Sequence, residues 1–169
     1  MIIKAYGLFW RADEINWSPG SGNKKNVEDQ FRLLGRLGRN KPGVQVCDFH
    51  AQHGIYILYG DLGAHYVGLT RKQKLGKRLR DHLFDSHAGE WDRFSWFGFR
   101  EVLVGKDDYG FQKLRKMPKL HLTKPDLVIG DIEALLIKAM ALHNKADMSF
   151  ANADKWQQIR TDELTKYFT

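Results

Sequence analysis

The chain has 169 residues, of which 43% are hydrophobic and 28% are charged, so its composition suits one globular domain and excludes wholesale disorder. The 27 Lys and Arg residues exceed the 20 Asp and Glu residues, and this net charge of +7 suggests a polyanionic partner such as nucleic acid. A basic protein without such a partner explains the charge equally well. Cys47 is the only cysteine, which excludes an intramolecular disulfide and favours a reducing, cytoplasmic compartment. No apolar run approaches the roughly 18 residues of a membrane span, so no membrane partner is expected.

The first 50 residues predict two strands and one helix. Residues 2–10 and 44–49 have the apolar and aromatic composition of strands. Residues 26–40 predict a short helix, because Asn26 can cap it and acidic residues follow in its first turn.

A hairpin is predicted over residues 54–70, where the apolar run GIYILY is followed by a GDLGA turn and the returning run HYVGLT. Tyr56 follows Gly54 by two residues, and Tyr66 precedes Gly68 by two. Glycine inside a strand indicates a close approach by backbone or ligand. A tyrosine hydroxyl can position water or accept a proton if a nearby cation lowers its pKa, although packing in the core is the commoner role of tyrosine.

A basic helix is predicted directly after the hairpin, because leucines recur there at every fourth residue. Residues 71–80 contain no acidic residue and six basic ones: Arg71, Lys72, Lys74, Lys77, Arg78 and Arg80. A solvated charged face is the ordinary explanation of such a run. The run is unbalanced, however, so ion pairs within it cannot offset its self-repulsion, whereas a bound phosphate backbone would.

Arg78 and His82 are four residues apart and therefore share one face of this helix. An arginine can clamp a phosphate with two hydrogen bonds, and a histidine can carry a proton near neutral pH. For an isolated pair of this kind, incidental surface positions are the commoner explanation.

The remaining chain predicts a strand over residues 94–104, a helix from Asp131, and a further helix over 153–169. Glu133 shares a helix face with Leu136 and other apolar residues. A carboxylate on such a face is commonly paired or bound to a metal. Its place in the first turn is also explained by the helix dipole, which favours negative charge there.

The order of these motifs resembles the GIY-YIG nuclease superfamily. The first motif is GIY at residues 54–56, and the second is YVG at 66–68. The resemblance implies that five residues are catalytic: Tyr56, Tyr66, Arg78, His82 and Glu133. It also implies that Glu133 binds Mg²⁺ or Mn²⁺. The closing asparagine of the family pattern falls on Asn144, with Asn152 as the alternative, and the basic residues Arg71, Lys72, Lys74 and Lys77 would contact flanking phosphates.

The predicted fold is α/β (α+β), with a small, mainly antiparallel sheet of three core strands flanked by helices. Residues 1–50 are interpreted as an N-terminal extension packed on this core, 51–152 as the nuclease-like core, and 153–169 as a C-terminal helix.

The activity that the resemblance implies is metal-dependent hydrolysis of phosphodiester bonds, with DNA as the favoured substrate. Sequence specificity would then come from residues 1–50, from a homodimer or from a protein partner. Three alternatives stay open at this point: an RNA-directed nuclease or toxin, a nucleic-acid-binding module that does not cleave, and an interaction protein with an acidic protein partner.

Overall fold

The computed structural model describes residues 2–18, 30–39, 42–70, 72–117, 125–141, 150 and 153–168. These residues contain nine strands, three α-helices and three short 3₁₀-helices. The strands are β1 Ala5–Arg11, β2 Leu34–Leu37, β3 Gln45–Asp48, β4 Gly54–Gly60, β5 Gly63–Leu69, β6 Arg93–Gly98, β7 Val102–Lys106, β8 Gln112–Leu114 and β9 Asp154–Gln158. The helices are α1 Leu75–Asp81, α2 Pro125–Ala139 and α3 Thr165–Phe168.

All nine strands join one mixed sheet in the order β5-β4-β6-β1-β9-β2-β3-β8-β7. Two of the pairings, β1 with β9 and β3 with β8, are parallel, and the others are antiparallel. The predicted sheet of three core strands flanked by helices is therefore wrong. The error arose because strands from both ends of the chain extend the sheet, and such long-range pairing leaves little trace in local sequence.

Two predicted helices account for much of this difference. Within 26–40, residues Leu34–Leu37 form strand β2 and pair with β3 and β9. Within 153–169, Asp154–Gln158 form strand β9, whose Trp156 is buried against Phe49 with ring centroids 5.1 Å apart. Tertiary packing decided both segments, because four or five residues with only one or two apolar side chains are too few to distinguish a helical period from a strand period.

The predicted hairpin is confirmed, and β4 is buried on both of its faces. Side chains alternate along a strand, so Tyr56 and Leu58 enter one apolar core while Ile57 and Tyr59 enter the other. The first core also contains the leucines that α1 buries, Leu75 and Leu79. The predicted basic helix is thus confirmed over Leu75–Asp81, and its packing places it on the Tyr56 face of the sheet.

Helix α2 packs against the opposite face. Ala134 and Ala139 belong to the core that contains Ile57 and Tyr59, and the Tyr59 hydroxyl donates a 2.7 Å hydrogen bond to the carbonyl of Ala139. The helix begins at Pro125, so Asp131 is not its first residue as predicted. Asp131 is instead buried, and its carboxylate accepts a hydrogen bond from the backbone of Ile2. Among the helices of the described residues, none is long and apolar enough to cross a membrane.

Gly54 is required by the close pairing of β4 and β6, because a Cβ added there would overlap the carbonyl oxygen of Phe97. We predict that Gly54→Ala lowers the free energy of unfolding by about 3 kcal/mol or more, since the obstacle is backbone that cannot turn aside. Denaturant unfolding measures this change. Gly105→Ala is the matched control, because a Cβ there meets no atom within 4 Å, and it should change stability by less than about 1 kcal/mol. Equal stability of the two variants would contradict this account of the pairing.

Candidate active site

The ring of Tyr56 crosses the neighbouring strand at Gly68. These two residues are directly paired between β4 and β5, and a Cβ at Gly68 would overlap the end of the Tyr56 ring that carries the hydroxyl. The missing side chain of Gly68 therefore provides the space in which this buried tyrosine lies. Tyr66 lies beside it on the same face, with the two ring centroids 6.2 Å apart. The structure thus explains why each strand of the hairpin combines a tyrosine with a glycine.

A chain of three side chains leads from the Tyr56 hydroxyl to the protein surface. The hydroxyl oxygen of Tyr56 lies 2.7 Å from Nε2 of His82, and both residues are buried. Nδ1 of His82 lies 2.7 Å from Oδ2 of Asp85, which is partly exposed. His82 follows the last residue of α1, and Asp85 lies three residues further on. Packing of α1 on the sheet therefore brings the imidazole to Tyr56.

The protonation states of the three groups follow from their surroundings. Burial raises the pKa of Tyr56 to about 12, against the opposing charge of Arg78, so Tyr56 is a neutral phenol at pH 7. Burial also lowers the pKa of His82, against the opposing effect of Asp85, so the imidazole is neutral. The hydrogen bond from the backbone N–H of His87 lowers the pKa of the Asp85 carboxyl, which is ionised.

A single tautomer of His82 satisfies both of its contacts. An ionised carboxylate only accepts hydrogen bonds, so Nδ1 of His82 must carry the proton and donate it to Asp85. Nε2 is then free to accept the hydrogen bond that the Tyr56 hydroxyl donates. This arrangement can take a proton from Tyr56 and stabilise the imidazolium that results.

Arg78 lies on the preceding turn of α1, half-buried beside the hydroxyls of Tyr56 and Tyr66. Burial opposes its charge, but the two tyrosine hydroxyls outweigh that effect and keep the pKa of the guanidinium above its ordinary value. The structure therefore brings together four of the five predicted catalytic residues. A fixed positive charge next to a hydrogen-bonded Tyr–His pair is suited to a reaction in which an anion forms.

Two further histidines border Tyr66. The pairing of β4 with β5 shifts by one residue at His65, because Leu58 faces Tyr66 whereas Tyr59 faces Ala64. Such a β-bulge changes the direction of a side chain at the end of a strand. His65 consequently reaches His87, with 3.0 Å between Nε2 of His65 and Nδ1 of His87.

The predicted phosphate-binding lysines surround the start of α1. Lys72, Lys74 and Lys77 are exposed. Lys77 forms an ion pair of 3.0 Å with Asp81, four residues later, so its charge is partly balanced from outside the basic run. Arg71, Asn144 and the alternative Asn152 lie outside the described residues.

The backbone of Glu133 belongs to α2, but its side chain lies outside what the structure describes. The neighbouring Ala134 packs on the sheet face opposite Tyr56. The residues of α2 whose side chains are described thus contribute no oxygen ligand on the Tyr56 face, and they do not fit a Mg²⁺ ion held beside Tyr56. Metal binding by Glu133 stays a prediction.

Sequence reasoning missed Asp85, His87 and His65. The spacing of His82, Asp85 and His87, in the segment HLFDSH, is a local signal that would have revealed the first two. His65 has no such signal, because only the β-bulge turns it toward His87.

Comparisons with protein-family models, with curated proteins and with solved structures gave no match. The resemblance to the GIY-YIG superfamily therefore rests on the motifs themselves, and it stays a prediction.

The three atoms nearest to a Cβ at Gly68 all belong to the Tyr56 side chain, which allows a double-mutant test. We predict that Gly68→Ala lowers the free energy of unfolding by about 1–3 kcal/mol, because the added methyl displaces the buried ring. In a Tyr56→Leu background the same change should cost much less, since the obstructing ring is gone. Denaturant unfolding of the four proteins measures this coupling, and strictly additive effects would show that Gly68 does not accommodate Tyr56.

Proposed function

We propose that this chain is a metal-dependent endonuclease that acts in the cytoplasm and hydrolyses phosphodiester bonds in DNA. The observation that carries the proposal is the hydrogen-bonded chain from Tyr56 through His82 to Asp85, with Arg78 beside the tyrosine hydroxyls. The resemblance of the motifs to the GIY-YIG superfamily and the basic surface around the start of α1 support the same function.

In the proposed reaction, the Tyr56 hydroxyl takes a proton from the attacking water while its own proton passes to Nε2 of His82. The water oxygen forms a bond to phosphorus, the bond from phosphorus to the leaving oxygen breaks, and the leaving oxygen takes up a proton from solvent. Asp85 holds the imidazole in the required tautomer and stabilises its charged form. Arg78 stabilises the negative charge that grows on the phosphate oxygens.

A Mg²⁺ or Mn²⁺ ion that neutralised charge on a scissile phosphate beside Tyr56 would need ligands on that face of the sheet, which the described side chains of α2 do not supply. Glu133 is the predicted ligand of this ion, and oxygen ligands are those that Mg²⁺ prefers. No step above depends on where the ion lies, because the proton transfer and the arginine contact involve side chains that the structure describes.

Cleavage of supercoiled plasmid tests this proposal. With Mg²⁺ or Mn²⁺ the wild-type protein should nick or linearise the plasmid, and EDTA should prevent this. Arg78→Ala should lower the rate about 10²–10³-fold by removing the charge that stabilises the transition state. Tyr56→Phe should lower it about 10²–10⁴-fold by removing the proton acceptor.

The matched control is Tyr59→Phe, which removes a buried tyrosine hydroxyl from the opposite face of the same strand. It should lose some stability and retain activity. Glu133→Ala separately tests the predicted metal ligand and should abolish cleavage. Undiminished cleavage by Tyr56→Phe or Arg78→Ala would refute the proposed mechanism.

DNA binding by the exposed lysines should depend on salt, because each phosphate contact releases counterions. We predict that Lys72→Ala and Lys74→Ala each reduce the slope of log Kd against log salt concentration by about one. Lys77→Ala should have a smaller effect, since Asp81 already pairs with this lysine. Lys113→Ala, on β8 near the other end of the sheet, is the control and should leave the slope unchanged. A uniform slope in all four variants would place the nucleic-acid surface elsewhere.

RNA cleavage without a metal ion is a second candidate. It is favoured because α2, which carries the predicted metal ligand Glu133, packs on the face of the sheet opposite Tyr56. In that reaction the ribose 2′-hydroxyl, rather than water, would attack the phosphate and give its proton to Tyr56, which passes its own proton to His82. The bond from phosphorus to the 5′ oxygen of the next nucleotide would break, and that oxygen would take up a proton from solvent. Cleavage of an RNA oligonucleotide in the presence of EDTA, lost when the reacting nucleotide is 2′-deoxy, would favour this candidate. Cleavage of DNA that requires Mg²⁺ or Mn²⁺ would exclude it as the principal activity.

A further inference from the structure

We propose that His82, Asp85 and His87 form a binding site for one divalent cation of the zinc class, distinct from the Mg²⁺ predicted at Glu133. One ligand atom from each of the three residues lies within 4.8 Å of the other two. All three belong to the six-residue segment that directly follows α1. A local turn therefore supplies every protein ligand, and the site does not depend on α2.

The Asp85 carboxylate is already oriented between the two histidines. Its Oδ2 lies 2.7 Å from Nδ1 of His82, and its Oδ1 accepts a 2.9 Å hydrogen bond from the backbone N–H of His87. The rings of His82 and His87 are nearly perpendicular, with centroids 5.1 Å apart. Asp85 is 39% exposed whereas His82 is only 1% exposed, so an ion can enter from the Asp85 side and reach a buried ligand.

The ligand set selects the class of ion. Two imidazoles and one carboxylate suit Zn²⁺, Co²⁺ and related transition metals, with water completing the coordination. Mg²⁺ prefers oxygen ligands and retains several of its waters, so it should compete poorly. The site would therefore discriminate between the zinc class and the ion that the proposed nuclease requires.

The second nitrogen of His82 links this site to Tyr56. A metal-bound histidine normally donates its other N–H to an outer partner, and the hydroxyl oxygen of Tyr56 is in place to accept it at 2.7 Å. Coordination at Nδ1 replaces the proton that faces Asp85, and the imidazole then carries its proton on Nε2. In that form His82 cannot accept a proton from Tyr56.

A bound ion thus prevents the proton transfer from Tyr56 to His82. This consequence rests on the proposed function: Zn²⁺ should inhibit the cleavage that Mg²⁺ supports.

Calorimetric titration of the full chain with Zn²⁺, without nucleic acid, tests the site directly. The wild-type protein should bind one equivalent. Asp85→Asn and His87→Ala, both outside the buried core, should each weaken binding at least about 100-fold, because loss of a ligand costs more than the 10–100-fold typical of an outer partner. His53→Ala is the matched control and should bind as wild type, since His53 belongs to no such ligand group among the described residues.

Two spectroscopic readouts distinguish this site from adventitious binding by surface histidines. Co²⁺ should give visible absorption bands in the wild type and in His53→Ala that His87→Ala lacks. In the ¹⁵N spectrum of the Zn²⁺-bound protein, Nδ1 of His82 should be coordinated and Nε2 protonated. Wild-type Zn²⁺ affinity in both Asp85→Asn and His87→Ala, or a protonated Nδ1 in the Zn²⁺-bound protein, would overturn the proposal.

Inhibition is measured separately. Zn²⁺ should stop cleavage by the wild-type protein. The same Zn²⁺ concentrations should leave the cleavage rate of His87→Ala unchanged from its own rate without Zn²⁺. Equal sensitivity of the two proteins would overturn the link to Tyr56. Because calorimetry needs no substrate, a chain without nuclease activity can still confirm or exclude the ion site, so failures of the two proposals are distinguishable.

Discussion

The passage of the Tyr56 ring over Gly68 is the contact on which the candidate site depends. It requires that these two residues face each other between β4 and β5, so it links the site to the register of the hairpin. A shift by one residue would turn Tyr56 to the opposite face of the sheet. With the register set, the hydroxyl reaches the end of α1, where His82 meets it at 2.7 Å. The hairpin and the helix are thus joined by the same hydrogen bond that the proposed chemistry uses.

Burial on both faces makes this arrangement rigid and also determines its charge. The sheet separates the core around Tyr56 from the core that contains α2, and β4 contributes alternate side chains to each. In the first core, Tyr56 and His82 are both neutral because burial disfavours their charged forms. Two charged groups border this buried pair, with Arg78 beside the tyrosine and Asp85 beside the histidine. Tyr56 and His82 would therefore become charged only during a reaction, and the charges of Arg78 and Asp85 would then stabilise them.

One imidazole connects the two proposals for this molecule. Nε2 of His82 faces a phenol and Nδ1 faces a carboxylate, and the position of a single proton decides which role the ring performs. With the proton on Nδ1, the ring can accept a proton from Tyr56. With an ion on Nδ1, the ring becomes a donor to Tyr56 and that transfer stops. The two states exclude each other, so the same contacts that support catalysis also provide a means of inhibiting it.

The sequence alone predicted the hairpin and the basic helix, because each depends on spacing within a short segment. The resemblance of its motifs singled out Tyr56, Tyr66, Arg78 and His82, and their catalytic roles stay a prediction. The sequence failed to predict β2 and β9, whose apolar residues are too few to show a period and which pair with each other although they lie far apart in the chain. Only the tertiary structure decided that nine strands of the described residues form one sheet, that α2 packs opposite Tyr56, and that a β-bulge brings His65 to His87. The physical reason is the same in each case: long-range pairing and packing determine which surfaces meet, and local sequence periodicity does not record them.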